Sequence, residues 1–201
     1  MSREYKGVFI AFEGIDGAGS TTHSILLSKW LKEQGYEVLL TKEPSENEIG
    51  KLIRNLLYKK IPPAVDALLF AADRILHLHE EIKPTLERGD IVISDRYIES
   101  SLAYQVAQGL DPKWVLEINK YAIQPDMNII LDIDPEAALK RKGGKASTKF
   151  ESVNFLKKVR EIFLERAKIK NYIVIDTTGP INKVQEEIRR TVLTLLQRKL
   201  I

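Results

Sequence analysis

The sequence predicts an α/β fold: a five-stranded parallel sheet covered by helices on both faces. Short apolar runs rich in β-branched residues recur at 8–12, 37–41, 91–94, 128–132 and 172–175, as expected of strands buried on both faces. Segments of helical periodicity separate them, so consecutive strands must be joined by helical crossovers. The polar groups with chemical potential follow the runs rather than interrupt them. In such sheets ligands gather at the carboxyl ends of the strands, which is where these groups fall.

The first run, Val8-Phe9-Ile10-Ala11-Phe12, leads into Gly14-Ile15-Asp16-Gly17-Ala18-Gly19-Ser20-Thr21-Thr22 and then into a helical pattern. This is the strand, loop and helix context of a phosphate-binding loop. Its glycines let consecutive backbone N–H groups curl around an anion, and the following helix adds its positive end. The loop therefore predicts nucleotide binding and a three-layer αβα sandwich of the P-loop NTPase type. A lysine ordinarily follows the last glycine and reaches the β- and γ-phosphates. Here that position is Ser20, a neutral group.

The helix after the loop should run from 21 to about 34, pack Ile25, Leu26 and Trp30, and stop at Gly35. Further helices are expected at 49–57, 64–79, 112–122, 154–168 and 181–197, with another starting at Pro135. Pro112 and Pro180 mark helix starts, and Pro84 and Pro125 lie where helices should have ended. No linker, repeat or low-complexity tract divides the chain, so residues 1–201 read as one domain.

Several other segments carry candidate chemistry. Phe70 and Arg74 are four residues apart in a helical pattern and share a face. Such a pair can stack on a base and bond its edge, and the same spacing also fits a core ring beside a solvated guanidinium. The strand at 91–94 ends in Asp95-Arg96. Asp95 suits completion of a Mg²⁺ shell and Arg96 suits a bidentate grip on phosphate, while a structural ion pair is the plain alternative. Ser100 and Tyr104 fall on one helical face, Ser101 and Gln105 on another. The run Lys140-Arg141-Lys142-Gly143-Gly144-Lys145-Ala146-Ser147-Thr148-Lys149 is cationic and contains glycine, as a lid over phosphates would. His23, His77 and His79 lack metal-ligand spacing and read as surface or packing residues.

A net charge of +3 fits an anionic small molecule better than a nucleic acid, whose binders usually carry a far stronger basic footprint. No apolar segment is long enough to span a bilayer, the N-terminus lacks a signal-peptide core, and cysteine is absent. A cytoplasmic protein is expected.

Taken together, these motifs resemble thymidylate kinase (dTMP kinase). That family carries Phe-Glu-Gly-x-Asp-Gly-x-Gly-Lys-Ser/Thr, matched from Phe12 to Thr21 except at the lysine. Its Thr-Arg-Glu-Pro appears as Thr41-Lys42-Glu43-Pro44. Leu69-Phe70-Ala71-Ala72-Asp73-Arg74, Asp95-Arg96-Tyr97, the segment Ser101 to Gln105, Pro125-Asp126 and Leu131-Asp132-Ile133-Asp134-Pro135-Glu136 also have counterparts, in order, over nearly the whole chain. The resemblance implies transfer of the γ-phosphoryl of ATP to dTMP with Mg²⁺, in a homodimer formed through helices that include 64–79.

By that resemblance Gly14, Asp16, Gly17, Ala18, Gly19, Ser20, Thr21, Thr22 and Arg141 hold ATP, with Thr21 and Asp95 at the metal. Phe70 stacks on thymine and Arg74 bonds its carbonyl edge. Arg96 and Lys42 grip the dTMP phosphate, Asp16 lies near the 3′-hydroxyl, Ser100 or Gln105 near the base, and Tyr104 in the volume of a ribose 2′-hydroxyl. Ala18 is similar to the subgroup that carries its catalytic cation on the lid, which points to Arg141, Lys142, Lys145 and Lys149. Two other readings stay open at this level: a nucleotide-binding protein with little catalysis, and a broader deoxynucleoside monophosphate kinase.

Overall fold

The computed structural model describes residues 5–143, 150 and 152–199. The strands β1 (Val8–Gly14), β2 (Val38–Lys42), β3 (Ile91–Asp95), β4 (Met127–Asp132) and β5 (Ile173–Asp176) form one parallel sheet in the order β2-β3-β1-β4-β5. β1 is central and buried along its whole length, which is why its sequence is apolar without alternation. Successive side chains still part to opposite faces. Val8, Ile10 and Phe12 join one core layer, and Phe9 and Ala11 the other.

The helices are α1 (Ser20–Glu33), α2 (Glu48–Leu56), α3 (Pro63–His77), α4 (Lys83–Arg88), α5 (Ile98–Ala107), α6 (Pro112–Ile118), α7 (Pro135–Arg141), α8 (Val153–Lys170) and α9 (Ile181–Lys199). Leu27 and Leu31 of α1, Leu156 and Phe163 of α8 and Ile188 of α9 pack on the first face. Leu86 of α4, Leu102 of α5 and Val115 of α6 pack on the second, which completes the three-layer αβα sandwich. Because β1 lies between β3 and β4, the chain order reverses there, and a crevice opens at the carboxyl ends of β1 and β3. Phe12 pairs with Asp95 at that edge.

Three expectations are corrected. The buried face of α1 comprises His23, Ser24, Leu27, Ser28 and Leu31, whereas Ile25 is 49% exposed and Leu26 half-buried; of the three expected residues Trp30 does pack against the core, from its edge. The face is rotated because α1 packs close to the sheet and α9, where small side chains fit, so serines take positions that the apolar stripe suggested were outside. Gly35 does end the helix: its φ is 88°, its N–H donates to Lys32 O at 3.0 Å, and Tyr36 N–H donates to Leu31 O at 3.1 Å.

Pro84 does not terminate helical structure. A π-helical turn, Leu78–Ile82, joins α3 to α4 without a break, and its i→i−5 step, with Lys83 N–H donating to Leu78 O, loosens the ladder just before Pro84, whose N–H is missing. α4 itself stops at Gly89, at φ 93°. At the other end of this layer α6 is shorter than expected. It gives way at Asn119, whose amide donates to Val115 O at 2.8 Å and whose oxygen accepts from Arg74.

The phase of α1 is testable by paired truncations. Leu27→Ala should destabilise by about 2–5 kcal/mol, as for other fully buried leucines, whereas Ile25→Ala should stay within about 0.5 kcal/mol. Urea midpoints of the two variants check this, and equal shifts would place the buried stripe elsewhere.

Candidate active site

The loop after β1 turns at Gly14, Gly17 and Gly19, with φ of 150°, 87° and 98°. Gly17 is doubly constrained, because a Cβ there would lie 2.5 Å from the carbonyl oxygen of Ala138 in α7. Gly19 takes the N-cap of α1 in a left-handed conformation and offers no side chain to its first turn. The N–H groups of that turn therefore remain available to an anion. Gly17, Gly19, Ser20, Thr21, Thr22 and Arg141 line the cleft they face. Ser20 is nearly buried at the start of the helix.

Thr21 Oγ1 donates to Asp95 Oδ2, while Asp95 Oδ1 is buried without a hydrogen-bond partner. One hydroxyl and one carboxylate with a spare oxygen fit Mg²⁺, which takes few protein ligands and completes its shell with water and substrate phosphates. Among the described residues there is no cluster of three or more His, Asp or Glu side chains that could hold a metal by themselves.

Arg96 follows β3 at φ 73°, a backbone conformation uncommon for a side-chain-bearing residue. Its N–H donates to Phe12 O at 2.8 Å, which holds this turn against β1. The guanidinium donates to Gly14 O at 2.8 Å, to Ser100 Oγ at 3.0 Å and to Asp16 Oδ1, and it lies 5.3 Å from the centroid of the Tyr104 ring. Burial opposes its charge, but Tyr104, Asp16, Asp95 and Glu13 together outweigh burial and hold its pKa above the usual guanidinium range. Tyr104 Oη in turn accepts the N–H of Asp16 at 3.0 Å. A tyrosine of α5 thus anchors the phosphate loop.

Beneath Arg96 lies Glu13, fully buried in β1. Its two oxygens accept from Glu99 N–H at 3.1 Å and from Ser100 Oγ. Ser100 therefore gives its proton to Glu13 and its lone pair to Arg96, so its hydroxyl is already committed. Burial, opposed by the Ser100 bond, pushes the Glu13 carboxyl up to about 8. The neighbouring Glu99 carboxylate accepts from Arg166 of α8 and from Tyr172 Oη at 3.0 Å.

A second cleft opens on the other side of Asp16 and Arg96. Phe70 and Arg74 do line it together, along with Ser100, Ser101, Tyr104 and Gln105. Arg74 is only 1% exposed, and its Nη atoms donate to Glu43 Oε2 at 2.6 Å, Ser101 Oγ at 2.9 Å, Tyr97 O at 3.1 Å and Asn119 Oδ1. Neither the core ring nor the solvated arginine of the plain alternative is found. Arg74 Nε and Gln105 Oε1 are buried without partners. Asp73, on the same helix, holds Ser45 through its N–H at 2.8 Å and its hydroxyl at 2.6 Å, and this fixes the loop after β2.

Lys42 is not brought to either cleft; it pairs with Glu46 at 2.7 Å on the exposed side. Lys142 lines both clefts, and Arg141 lines the phosphate side with its guanidinium donating to Thr177 O at 2.6 Å. Lys145 and Lys149 lie outside the described residues. Of the histidines only His79 is exposed; His23 and His77 are buried. His77 meets Thr41 Oγ1 at 2.7 Å, and His23 lines the phosphate cleft. Sequence reasoning assigned no role to Glu13, Glu43 or Asn119. A charge ending the apolar run at Glu13 was the one available signal; the other two become meaningful only through Arg74.

A phosphate loop at the switch point of a parallel sheet, beside a second cleft that shares its Asp and Arg, defines a P-loop phosphotransferase with separate donor and acceptor sites. Residues 12–188 match the family model for thymidylate kinase. The chain is 42% identical over 207 residues to a probable thymidylate kinase of Thermococcus gammatolerans, covering 97% of this chain and 98% of the relative. It is 47% identical over 195 residues to a probable thymidylate kinase of Pyrobaculum aerophilum, covering 94% and 96%. A probable thymidylate kinase of Archaeoglobus fulgidus is 42% identical over 195 residues, covering 96% and 98%. The chain belongs to the thymidylate kinase family, enzymes that phosphorylate dTMP.

Glu13 makes stability depend on pH in a defined direction. Its folded pKa lies above its unfolded value, so its contribution is present in full below about 4.5 and is lost as pH rises through about 8. Glu13→Gln, which cannot ionise, should lose less stability than the parent chain between pH 6 and 9. Denaturant unfolding across that range reads the difference, and parallel curves would show that Glu13 does not titrate there.

Proposed function

We propose that this chain transfers the γ-phosphoryl of ATP to dTMP, giving dTDP and ADP, with ATP in the phosphate-loop cleft and dTMP in the cleft lined by Phe70. The observation that carries this reading is the junction of the two clefts at Asp16 and Arg96. Two phosphorylated ligands would meet there end to end, and phosphoryl transfer is catalysed chiefly by such positioning and by charge neutralisation. A protein that merely binds nucleotide would have no use for the second cleft.

On the acceptor side Phe70 stacks on thymine. Arg74 Nε is a donor without a partner, suited to a thymine carbonyl, and Gln105 Oε1 is an acceptor without a partner, suited to the ring N–H. Arg96 grips the dTMP phosphate and Asp16 orients Arg96 and the sugar. Tyr104 fills the space beside the sugar while holding the Asp16 N–H. The pairing of Lys42 with Glu46 favours Arg96 as the principal phosphate ligand. Thr21 and Asp95 would hold Mg²⁺, which supplies charge neutralisation on the donor phosphates.

The missing lysine is replaced from the far wall. Arg141 and Lys142 close the C-terminal end of α7 over the phosphate loop, with Lys145 further along the lid at about 140–150. The single continuous sheet supports one domain over 1–201. Val65, Leu68 and Ile75 leave an apolar stripe exposed on α3, which supports a homodimer through that helix. No helix among the described residues is long and apolar enough to cross a membrane, and the cysteine-free sequence is in keeping with a cytoplasmic enzyme.

A coupled assay with ATP and dTMP tests the reaction itself, and absence of dTDP would overturn it. Stacking on an aromatic ring is worth about 1–3 kcal/mol per base, so Phe70→Ala should weaken dTMP binding by roughly tenfold or more and spare ATP. Equal losses for both nucleotides would displace thymine from this cleft.

Arg141→Ala should lower kcat on the order of 10²-fold, the usual effect of deleting one transition-state charge partner, with dTMP affinity nearly intact. Adding Ser20→Lys to that variant should restore part of the loss. Wild-type kcat in Arg141→Ala would transfer the role to another cation.

A further inference from the structure

His23 sits one helical turn beyond Gly19, and its N–H closes that turn on Gly19 O at 2.9 Å. Side chains of a helix lean toward its N-terminus, so the imidazole folds back over the loop. The ring edge formed by Cδ2 and Nε2 lies against Gly19: a Cβ built there would stand 3.2 Å from Cδ2 and 3.6 Å from Nε2. His23 also lines the cleft that the phosphate loop faces. The ring is held from behind by Gln185 of α9, whose Nε2 lies 2.9 Å from His23 Nδ1 and 3.1 Å from His23 O.

That pair of contacts determines where the imidazole proton is. The backbone oxygen of His23 can only accept, so the Gln185 atom facing it must be the amide nitrogen. The same nitrogen then donates to Nδ1, which must be the bare ring nitrogen. The proton of the neutral ring is left on Nε2. Among the described residues the side-chain hydrogen bonds of His23 are those to Gln185, and none uses this atom.

We infer that His23 is a ligand of the donor nucleotide, its Nε2–H donating to an oxygen of the phosphate chain, and that Gln185 is a positioning residue which fixes the tautomer required. The inference rests on the assignment of ATP to this cleft. It identifies a neutral donor built into the loop's own helix, separate from the lid cations that supply charge. With Nδ1 accepting from Gln185, the ring carries one proton and no charge. A ring kept neutral donates without adding to the cationic crowding around Arg141. Loop glycine, helix and α9 are thereby joined at one nucleotide contact.

The test uses the full chain and two readouts. Titration calorimetry with ADP, pyrophosphate and dTMP compares the parent with His23→Leu and His23→Gln, and long-range ¹H–¹⁵N spectra report the ring tautomer in the parent and in Gln185→Leu. Hydrogen bonds to charged acceptors are strong, so His23→Leu should lose roughly tenfold affinity for ADP and for pyrophosphate while keeping that for dTMP, and His23→Gln should recover part of it. The parent spectrum should show the proton on Nε2, and Gln185→Leu a mixture of tautomers. If the parent binds ADP and His23→Leu binds it equally well, the inference fails while the ATP assignment stands; if the parent binds no ADP, both fail. A parent ring protonated on Nδ1, or an affinity loss for ADP without one for pyrophosphate, would equally overturn the phosphate contact.

Discussion

The half-buried guanidinium of Arg96 is the constraint on which the site depends. It lies where the order of the sheet reverses, in a backbone conformation that favours glycine, and it is held there by groups from three elements. β1 supplies Gly14 O and, through Ser100, Glu13; the loop supplies Asp16; α5 supplies Ser100 and the Tyr104 ring. A half-buried charge of this kind is tolerated only when its donors are paired with good geometry. Satisfying Arg96 therefore fixes the phosphate loop, the end of β3 and the start of α5 relative to one another. The two clefts inherit their separation from that arrangement.

A second layer of buried polar groups ties the site to the rest of the fold. Glu99, adjacent to Ser100, carries the α8 residue Arg166 and Tyr172, so α8 is bonded to the helix that orients Arg96. Tyr104 also packs against Phe150, Phe155 and Phe163, at centroid distances of 5.6, 6.2 and 6.4 Å. These contacts place Phe150 and α8 against α5. On the opposite side, Arg74 gathers Glu43, Ser101 and Asn119 into one buried cluster, and Asp73 clamps Ser45. The floor of the cleft lined by Phe70 is thus a hydrogen-bonded network that leaves Arg74 Nε and Gln105 Oε1 without partners.

The loop without its lysine shifts the electrostatic problem rather than abolishing it. Backbone N–H groups and the positive end of α1 still attract phosphate, but they are fixed dipoles and cannot follow charge as it moves toward the leaving oxygen. Arg141 and Lys142 stand at the end of α7, against which Gly17 packs too closely to admit a side chain. This close approach brings cations from a neighbouring element within reach of the loop.

The sequence by itself determined the layer architecture, the central strand and the identity of the phosphate loop. Each depends on local pattern: unbroken apolar runs, helical spacing, and glycines placed where positive φ is needed. It also put Phe70 and Arg74 on one face, since four residues along a helix suffice for that. Only the tertiary structure decided which face of α1 is buried, that Lys42 turns to Glu46 rather than to the cleft, and that Ser100 is already committed between Glu13 and Arg96. It alone assigned work to Glu43, Asn119 and Gln185, which lie 31, 45 and 162 residues from the partners they hold. The reason is physical: a polar side chain is defined by the partner that completes its hydrogen bonds, and when that partner arrives from a distant element no local pattern records it.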